Sequence, residues 1–169
     1  MKEITVQDFN DNFFSKISKE WMIVSAGEAD SYNMMTASWG GIGWLWNKPV
    51  AFVFIRPERH TFGLTEKLDR MTLSFLGNSE TARQIYKYCG SKSGKTADKM
   101  HESGLTLKCV EQGALVYDQA QLTLACRKLY ADDIRPEAVL DESITSQWYG
   151  EHGGWHKMYV VEIEHIFMK

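Results

Sequence analysis

The chain has 169 residues, 44% apolar and 24% charged, with 19 Lys and Arg against 22 Asp and Glu. That balance excludes a disordered or collagen-like chain and fits a single domain over residues 1–169. The net charge of −3 gives no general electrostatic reason to bind nucleic acid or an anionic membrane.

Val6–Ile17 follows Thr5 and sets Phe9, Phe13, Phe14 and Ile17 at helical spacing, which predicts an N-terminal helix. Met22–Ala26 reads as a strand ending at the turn Gly27-Glu28-Ala29-Asp30, and Asn33–Gly40 as an extended, Gly-bounded segment. Val50–Ile55 is a buried strand stopped by Pro57, Thr61–Leu68 a helix, and Met71–Leu76 a strand rich in Leu, aromatic and β-branched residues. Ser79 opens a helix that runs to about Tyr88 and is closed by Gly90. Thr96–Ser103 is a second short helix, ended by Gly104. Ala114–Tyr117, Gln121–Tyr130 and Lys157–Phe167 read as strands, with an irregular stretch from Ala131 to Gly154. The longest apolar runs, Met22–Ala26 and Val50–Ile55, are too short to cross a bilayer. No repeat or Gly/Ser-rich linker marks a domain boundary. Strands dominate without a βαβ rhythm, so a mainly β fold is expected: a closed or partly closed antiparallel β-barrel with peripheral helices, ahead of a doubly wound parallel sheet.

Cys89, Cys109 and Cys126 are odd in number and form no C-x-x-C pair, which argues against a disulfide framework and against a zinc finger. The N-terminus lacks the long apolar core of a signal peptide, so a reducing, cytoplasmic setting is expected. The histidines give no metal-ligand pattern; His152 and His156 are four apart but straddle Gly153-Gly154. There is no G-x-S-x-G elbow, and Gly40-Gly41-Ile42-Gly43 is not a dinucleotide fingerprint. The unusual feature is aromatic: six Trp, seven Tyr and eight Phe, several beside Gly, as in Trp39-Gly40-Gly41, Gly43-Trp44-Leu45-Trp46 and Trp148-Tyr149-Gly150. They fit core and dimer-interface packing, or a flat site for a planar ligand.

Three segments carry candidate chemistry. Cys89-Gly90-Ser91-Lys92-Ser93-Gly94-Lys95-Thr96 resembles a P-loop only superficially, because three residues rather than four separate its glycines and a helix rather than a strand precedes it. It remains a Gly-bounded loop with hydroxyls and ammonium groups before an expected helix start at Thr96, suited to an anionic or electron-rich group. Arg56-Pro57-Glu58-Arg59-His60-Thr61 places two guanidinium groups and a hydroxyl between a buried strand and a helix, either for phosphate or as a solvated basic turn partnered by Glu58. Asn33-Met34-Met35-Thr36-Ala37-Ser38-Trp39-Gly40 is either a buried strand or a backbone that a flat ligand can approach closely.

In order, Asn33-x-Met35-Thr36-x-Ser38-Trp39-Gly40, Lys48-Pro49-Val50, Arg56-Pro57-x-Arg59-x-Thr61, Cys89-Gly90-x-x-Ser93-Gly94 with Asp98-Lys99, Gly104-Leu105-Thr106, Cys126-Arg127-Lys128-Leu129-Tyr130 and His156-x-Met158-Tyr159 resemble the flavin reductase-like family that includes flavoredoxin. The resemblance covers roughly residues 20 to 168 and implies an FMN-binding split β-barrel. It implies a homodimer with FMN at the interface, the phosphate on Arg56, Arg59 and Thr61, the flavin along Asn33, Met34, Met35, Thr36, Ala37, Ser38 and Trp39, and Cys89, Ser91, Lys92, Ser93 and Gly94 closing over the ring. Lys95 stands where such proteins often carry Arg, which replaces a forked donor with a point charge. The function expected is an FMN-dependent oxidoreductase or electron carrier, served by a redox partner protein or transiently by NAD(P)H, with His156 and Tyr159 as candidate proton donors or packing residues. A non-enzymatic flavin store or sensor, or a split barrel for another planar cofactor such as heme, is the alternative.

Overall fold

In the computed structural model, which describes residues 1–151 and 153–169, the strands are β1 (Lys2–Ile4), β2 (Met22–Glu28), β3 (Ser31–Ala37), β4 (Gly40–Leu45), β5 (Lys48–Ile55), β6 (Arg70–Phe75), β7 (Leu107–Glu111), β8 (Ala114–Tyr117), β9 (Leu122–Asp133) and β10 (Lys157–Met168). One antiparallel sheet runs β3-β2-β6-β9-β10-β5-β4, with β1 beside the far end of β10; β7 and β8 form a separate hairpin. The end strands β3 and β4 are consecutive in the chain and joined only by Ser38 and Trp39. Laid flat, seven strands would hold those edges roughly 29 Å apart, whereas three Cα steps reach about 11 Å. The sheet therefore has to curl, and the barrel's seam falls at Ser38–Trp39. Gly40 starts the return strand at a φ of 148°, where a Cβ would lie 2.5 Å from the Phe52 carbonyl oxygen; only glycine fits this crossing.

Alternation along the strands makes two cores. Val24, Met35, Val53, Leu73 and Val161 point into the barrel, while Ile23 and Met34 on the opposite face pack against Ile85, Tyr86 and Cys89 of α3 (Glu80–Ser91), which lies outside the barrel wall.

The strand at 114–117 forms with the expected ends, and those at 22–26, 50–55, 71–76, 121–130 and 157–167 form with shifted ends, as does the helix at His60–Lys67. The N-terminal helix does not form as one piece. Thr5 caps a 3-10 turn at Val6–Asp8, Asn12 caps α1 (Phe13–Ser15), and the chain continues as a π-helical turn at Lys16–Glu20. The Asn10-Asp11-Asn12 run breaks the apolar period with side chains that compete for backbone N–H groups. Gly90 does not close α3, which runs on to Ser91; it sits where the helix approaches β3, with a Cβ there meeting Thr36 Cβ at 3.4 Å. Thr96 does not start a helix either. Ser93 O accepts from the Thr96 and Ala97 N–H groups in a turn, and Asp98 caps a shorter helix at Lys99–Glu102. Within 131–154, β9 extends to Asp133, and a 3-10 turn (Pro136–Ala138), a helical turn at Glu142–Ile144 and a π-helical turn (Thr145–Tyr149) follow.

Candidate functional site

A cavity of about 240 Å³ opens at the barrel seam. Met35 to Trp39 form one side, Phe54 and Arg56 come from the end of β5, Arg59 from the following turn, and Trp148 and His156 from the segment leading into β10. β10 pairs with β5 from Lys157↔Ile55 onward, and this register brings His156 beside Arg56.

Arg59 is half-buried, and its guanidinium donates to Gly90 O at 2.6 Å and Cys89 O at 3.0 Å. Lys99, 3% exposed, donates its ammonium to the same Cys89 O and to Met34 O, both at 2.9 Å. The last carbonyls of a helix lack internal partners and carry its negative dipole end, so two cations meet the C-terminus of α3 where they are most needed. Among the described residues no carboxylate is ion-paired with Arg59 or Lys99. Burial pulls the Lys99 ammonium down to about 8, with the neighbouring Arg59 charge acting the same way, and burial also lowers Arg59 from its usual range.

The opposite wall is aromatic. Trp39 meets Trp148 edge to face at 5.2 Å and His156 at 4.9 Å, and Tyr149 stacks on Trp155 at 3.9 Å. His156 Nδ1 is hydrogen-bonded to the Tyr149 hydroxyl at 3.1 Å, and burial, aided by the Arg56 charge, holds its imidazole down at about 4. Arg56 donates to Trp148 O and Gly154 O, and the Gly154 N–H donates to Glu58.

Ten of the fifteen expected site residues line one of three cavities, and five line none of them. Met35, Thr36, Ala37, Ser38, Trp39, Arg56 and Arg59 share the seam cavity. Thr36, Ser38 and Ser91 also line a larger adjoining groove of about 890 Å³. Asn33 and Gly94 belong to a small cavity of about 210 Å³ beside α4 (Lys99–Glu102). Thr61 is fully buried, and its hydroxyl accepts from Asn33 Nδ2 at 2.7 Å. Met34 and Cys89 turn their side chains into the outer core, where burial pushes the Cys89 thiol up to about 11. Lys92 and Ser93 lie on the surface. Tyr159, fully buried, donates to Glu66 of the helix His60–Lys67 at 2.7 Å and does not line the seam cavity. Phe54 and the cation role of Lys99 escape a reading by motif; for Trp148 the aromatic-Gly pattern was the available signal.

Among the described residues no group of three His, Cys, Asp or Glu could hold a metal, and no helix is long and apolar enough to cross a membrane. His152 lies outside the described residues.

A family model described as a flavin reductase like domain matches residues 14–169. Among solved structures, flavoredoxin from Methanosarcina acetivorans is 17% identical with a TM-score of 0.66, covering 100% of this chain and 76% of that one. The FMN-binding protein from Thermus thermophilus with bound p-hydroxybenzaldehyde is 20% identical, TM-score 0.65, with coverage of 100% and 82%. An NADH:FAD oxidoreductase from Streptomyces globisporus C-1027 is 14% identical, TM-score 0.64, with coverage of 93% and 80%. A search of curated proteins gives no match. At these identities the structural likeness speaks for the fold.

Proposed function

From the premise that this chain belongs to the flavin reductase-like family, and so to flavin-related redox chemistry, we propose that it is an FMN-binding flavoprotein oxidoreductase of the electron-transfer type. The observation that carries the FMN reading is the donor set at the seam. Arg56 and Arg59 face one aromatic-walled cavity, and the half-buried Arg59 guanidinium donates to the carbonyls of Cys89 and Gly90. Guanidinium forks match phosphate oxygens, and the flat walls of Trp39 and Trp148 suit a planar ring, so the residues fit a flavin mononucleotide.

When bound, the flavin supplies the electron transfer; the chain supplies position and electrostatics. Arg56 and Arg59 hold the phosphate. Thr61, its hydroxyl occupied by Asn33, supports them from behind. Thr36 donates its hydroxyl to Tyr86 O at 2.6 Å, which fixes the end of β3 against α3 and sets the line along which the ring lies. His156, buried beside the exposed Trp148, stays uncharged at neutral pH and lines that wall. The active form is a homodimer with the flavin at its interface, a reading supported by the exposed Trp44, Trp46 and Tyr130 on the β4 side of the barrel. Electrons arrive from a redox partner protein, or from NAD(P)H docking transiently.

Acid release and chromatography of the flavin that accompanies the purified protein test this reading. FMN in near-stoichiometric amount is expected, and absence of any flavin, or of affinity for added flavin, rejects it. Light scattering checks the dimer; a monomeric mass with flavin still bound removes the interface.

A further inference from the structure

The outer face of α3 and the turns beside it carry five exposed cations: Lys19 in the π-helical turn, Arg83 and Lys87 four residues apart on α3, and Lys92 and Lys95 past its end. Among the described residues none of the five is ion-paired, and Arg83 donates only to a neutral group, Asn78 O. Neighbouring carboxylates are engaged elsewhere. Glu20 pairs with Lys16 at 3.5 Å and Asp98 with His101 at 2.8 Å, while Glu80 accepts from Gln84 and Glu102 from the Tyr88 hydroxyl. Local structure does not account for this charge. Cations suit the C-terminal end of a helix, which serves Lys92 and Lys95, but Arg83 is the fourth residue of α3, at the end whose dipole opposes it. The chain as a whole is acidic, with 19 Lys and Arg against 22 Asp and Glu. Setting the five aside leaves 14 against 22, a balance of −8 for all the other residues. One basic face on an otherwise acidic molecule orients an approaching partner.

Exposed aromatic rings stand with the charges. Trp21 is grouped with Lys19, Arg83 and Lys87, is 41% exposed, and lies edge-on to Tyr86 at 6.3 Å. Its φ of 68° is in the left-handed region, a backbone conformation that costs a bulky residue. Phe14 of α1, shortly before Lys19, is 88% exposed. Aromatic residues and Arg are enriched at the centre of protein interfaces, while lysines serve the rim and steer the encounter. Thr36 and Ser38 line both this region and the seam cavity, so a body seated here lies at the edge of the flavin site.

We propose that this face docks an acidic one-electron carrier protein, with Trp21 and Arg83 at the centre of the contact and Lys19, Lys87, Lys92 and Lys95 around it. The charge pattern selects the occupant. A long polyanion or an anionic bilayer would extend over the acidic remainder of the surface, whereas a compact acidic protein meets the basic face alone. Each carrier exchanges one electron, so two dockings match one two-electron change of the flavin, with the accompanying protons exchanged with solvent. The inference rests on the flavin reading for the transfer it serves, but not for the docking itself.

The test is calorimetric titration of the purified, flavin-loaded protein with a [2Fe–2S] ferredoxin of strongly negative net charge, and with a basic cytochrome c as the opposite-charge probe. Ferredoxin is expected to bind at low salt, and at least tenfold more weakly at about 0.3 M salt. Cytochrome c should bind at least tenfold more weakly than ferredoxin. The double variant Arg83→Glu/Lys87→Glu should weaken ferredoxin tenfold or more with the bound flavin unchanged. The same charge reversal elsewhere, Lys2→Glu/Lys67→Glu on β1 and the helix His60–Lys67, should leave ferredoxin within threefold of wild type. All four positions are exposed, so the variants keep the fold. No ferredoxin binding at about 0.1 mM, binding indifferent to salt, equal weakening by the two double variants, or a preference for cytochrome c overturns the proposal. Tighter capture by phosphatidylserine vesicles than by ferredoxin overturns it as well. A chain that docks ferredoxin but holds no flavin removes the flavin reading alone, and a flavin-loaded chain that does not dock it removes this inference alone.

Discussion

On one side of the seam cavity, side chains reach across long stretches of sequence to fix backbone: Asn33 to Thr61, Thr36 to Tyr86 O, Arg59 to Cys89 O and Gly90 O, Lys99 to Met34 O. On the other side, the described residues of the strap, Thr145–Glu151 and Gly153–Trp155, rest on stacked and edge-on rings and on backbone hydrogen bonds to the charged side chains of Arg56 and Glu58. The first wall is buried, and its polar groups answer carbonyls that would otherwise be orphaned at a helix end. The second is exposed, with Trp148 43% accessible, and screened by solvent. One wall is therefore a fixed template and the other an adjustable cover.

The largest effect should come from the template. Lys99→Met fills the space but leaves the Met34 and Cys89 carbonyls without that donor. Cys89 O keeps its bond from Arg59, so the loss is that of two charge-assisted hydrogen bonds at about 1.5–3 kcal/mol each, partly offset because a desolvated cation is removed, and about 2–4 kcal/mol is expected. At roughly 2–4 °C per kcal/mol for a chain of this size, Tm should fall by about 5–15 °C in differential scanning calorimetry. A change below about 2 °C would show that the buried ammonium does not hold the wall.

His156 joins the cover to the barrel, and its burial makes a pH test. Its folded imidazole titrates at about 4 against 6.5 for the free side chain. Between those values the unfolded chain binds the extra proton, so stability rises with pH through this window and is lost as pH falls from 6.5 towards 4. The loss is about 3 kcal/mol at about 1.4 kcal/mol per unit. Tyr149, Arg56 and Glu58 face the ring. Carboxylates such as Glu58 and Glu66, whose folded values are lowered, act in the same direction only below 4.5. Chemical denaturation from pH 6.5 to 5 should show the slope in the native chain and a flatter one in His156→Asn. Equal slopes would place the imidazole in solvent.

The two arginines sharpen the comparison at the ligand. Arg59 belongs to the template and Arg56 to the cover, yet both face the cavity. Loss of one charge-assisted contact should weaken FMN by about 1.5–3 kcal/mol, roughly 10- to 150-fold. In titrations, Arg59→Ala should also lower Tm, because it uncaps α3, whereas Arg56→Ala should weaken FMN with little change in Tm. Riboflavin, which lacks the phosphate, should be affected far less by either. Equal losses for FMN and riboflavin would remove the phosphate assignment.

Much of the barrel was legible because β-strand alternation is local: Val50–Ile55 and Lys157–Phe167 announce themselves by composition. β4 was not, since Gly40-Gly41-Ile42-Gly43 has no strand propensity and forms only because β5 pairs with it. The seam cavity was half legible. Arg56, Arg59 and the segment Met35 to Trp39 are adjacent in sequence to strand ends, and they meet in space. The sequence presents Cys89 to Gly94 as a loop over a ligand, but Cys89 and Gly90 contribute carbonyls from within α3, and the donors to Cys89 O lie 30 and 10 positions away. No local pattern carries that pairing.

The smallest effect separates the walls most cleanly. Glu58→Gln keeps the size and acceptor at Gly154 N–H but removes a charge that is exposed and set beside Arg56. Exposed ion pairs contribute about 0–1 kcal/mol, so Tm should shift by no more than about 2–4 °C. The strap should nonetheless open more often, because local opening depends on the few contacts that hold a segment rather than on the stability of the whole. Limited proteolysis read by mass spectrometry should therefore show faster cleavage between residues 141 and 154 in Glu58→Gln, with the barrel strands unaffected. High salt should narrow the difference between variant and native chain, since both then lose the charge contact. If Glu58→Gln instead lowers Tm as far as Lys99→Met, the strap unfolds with the barrel as one cooperative unit, and the distinction between template and cover does not hold.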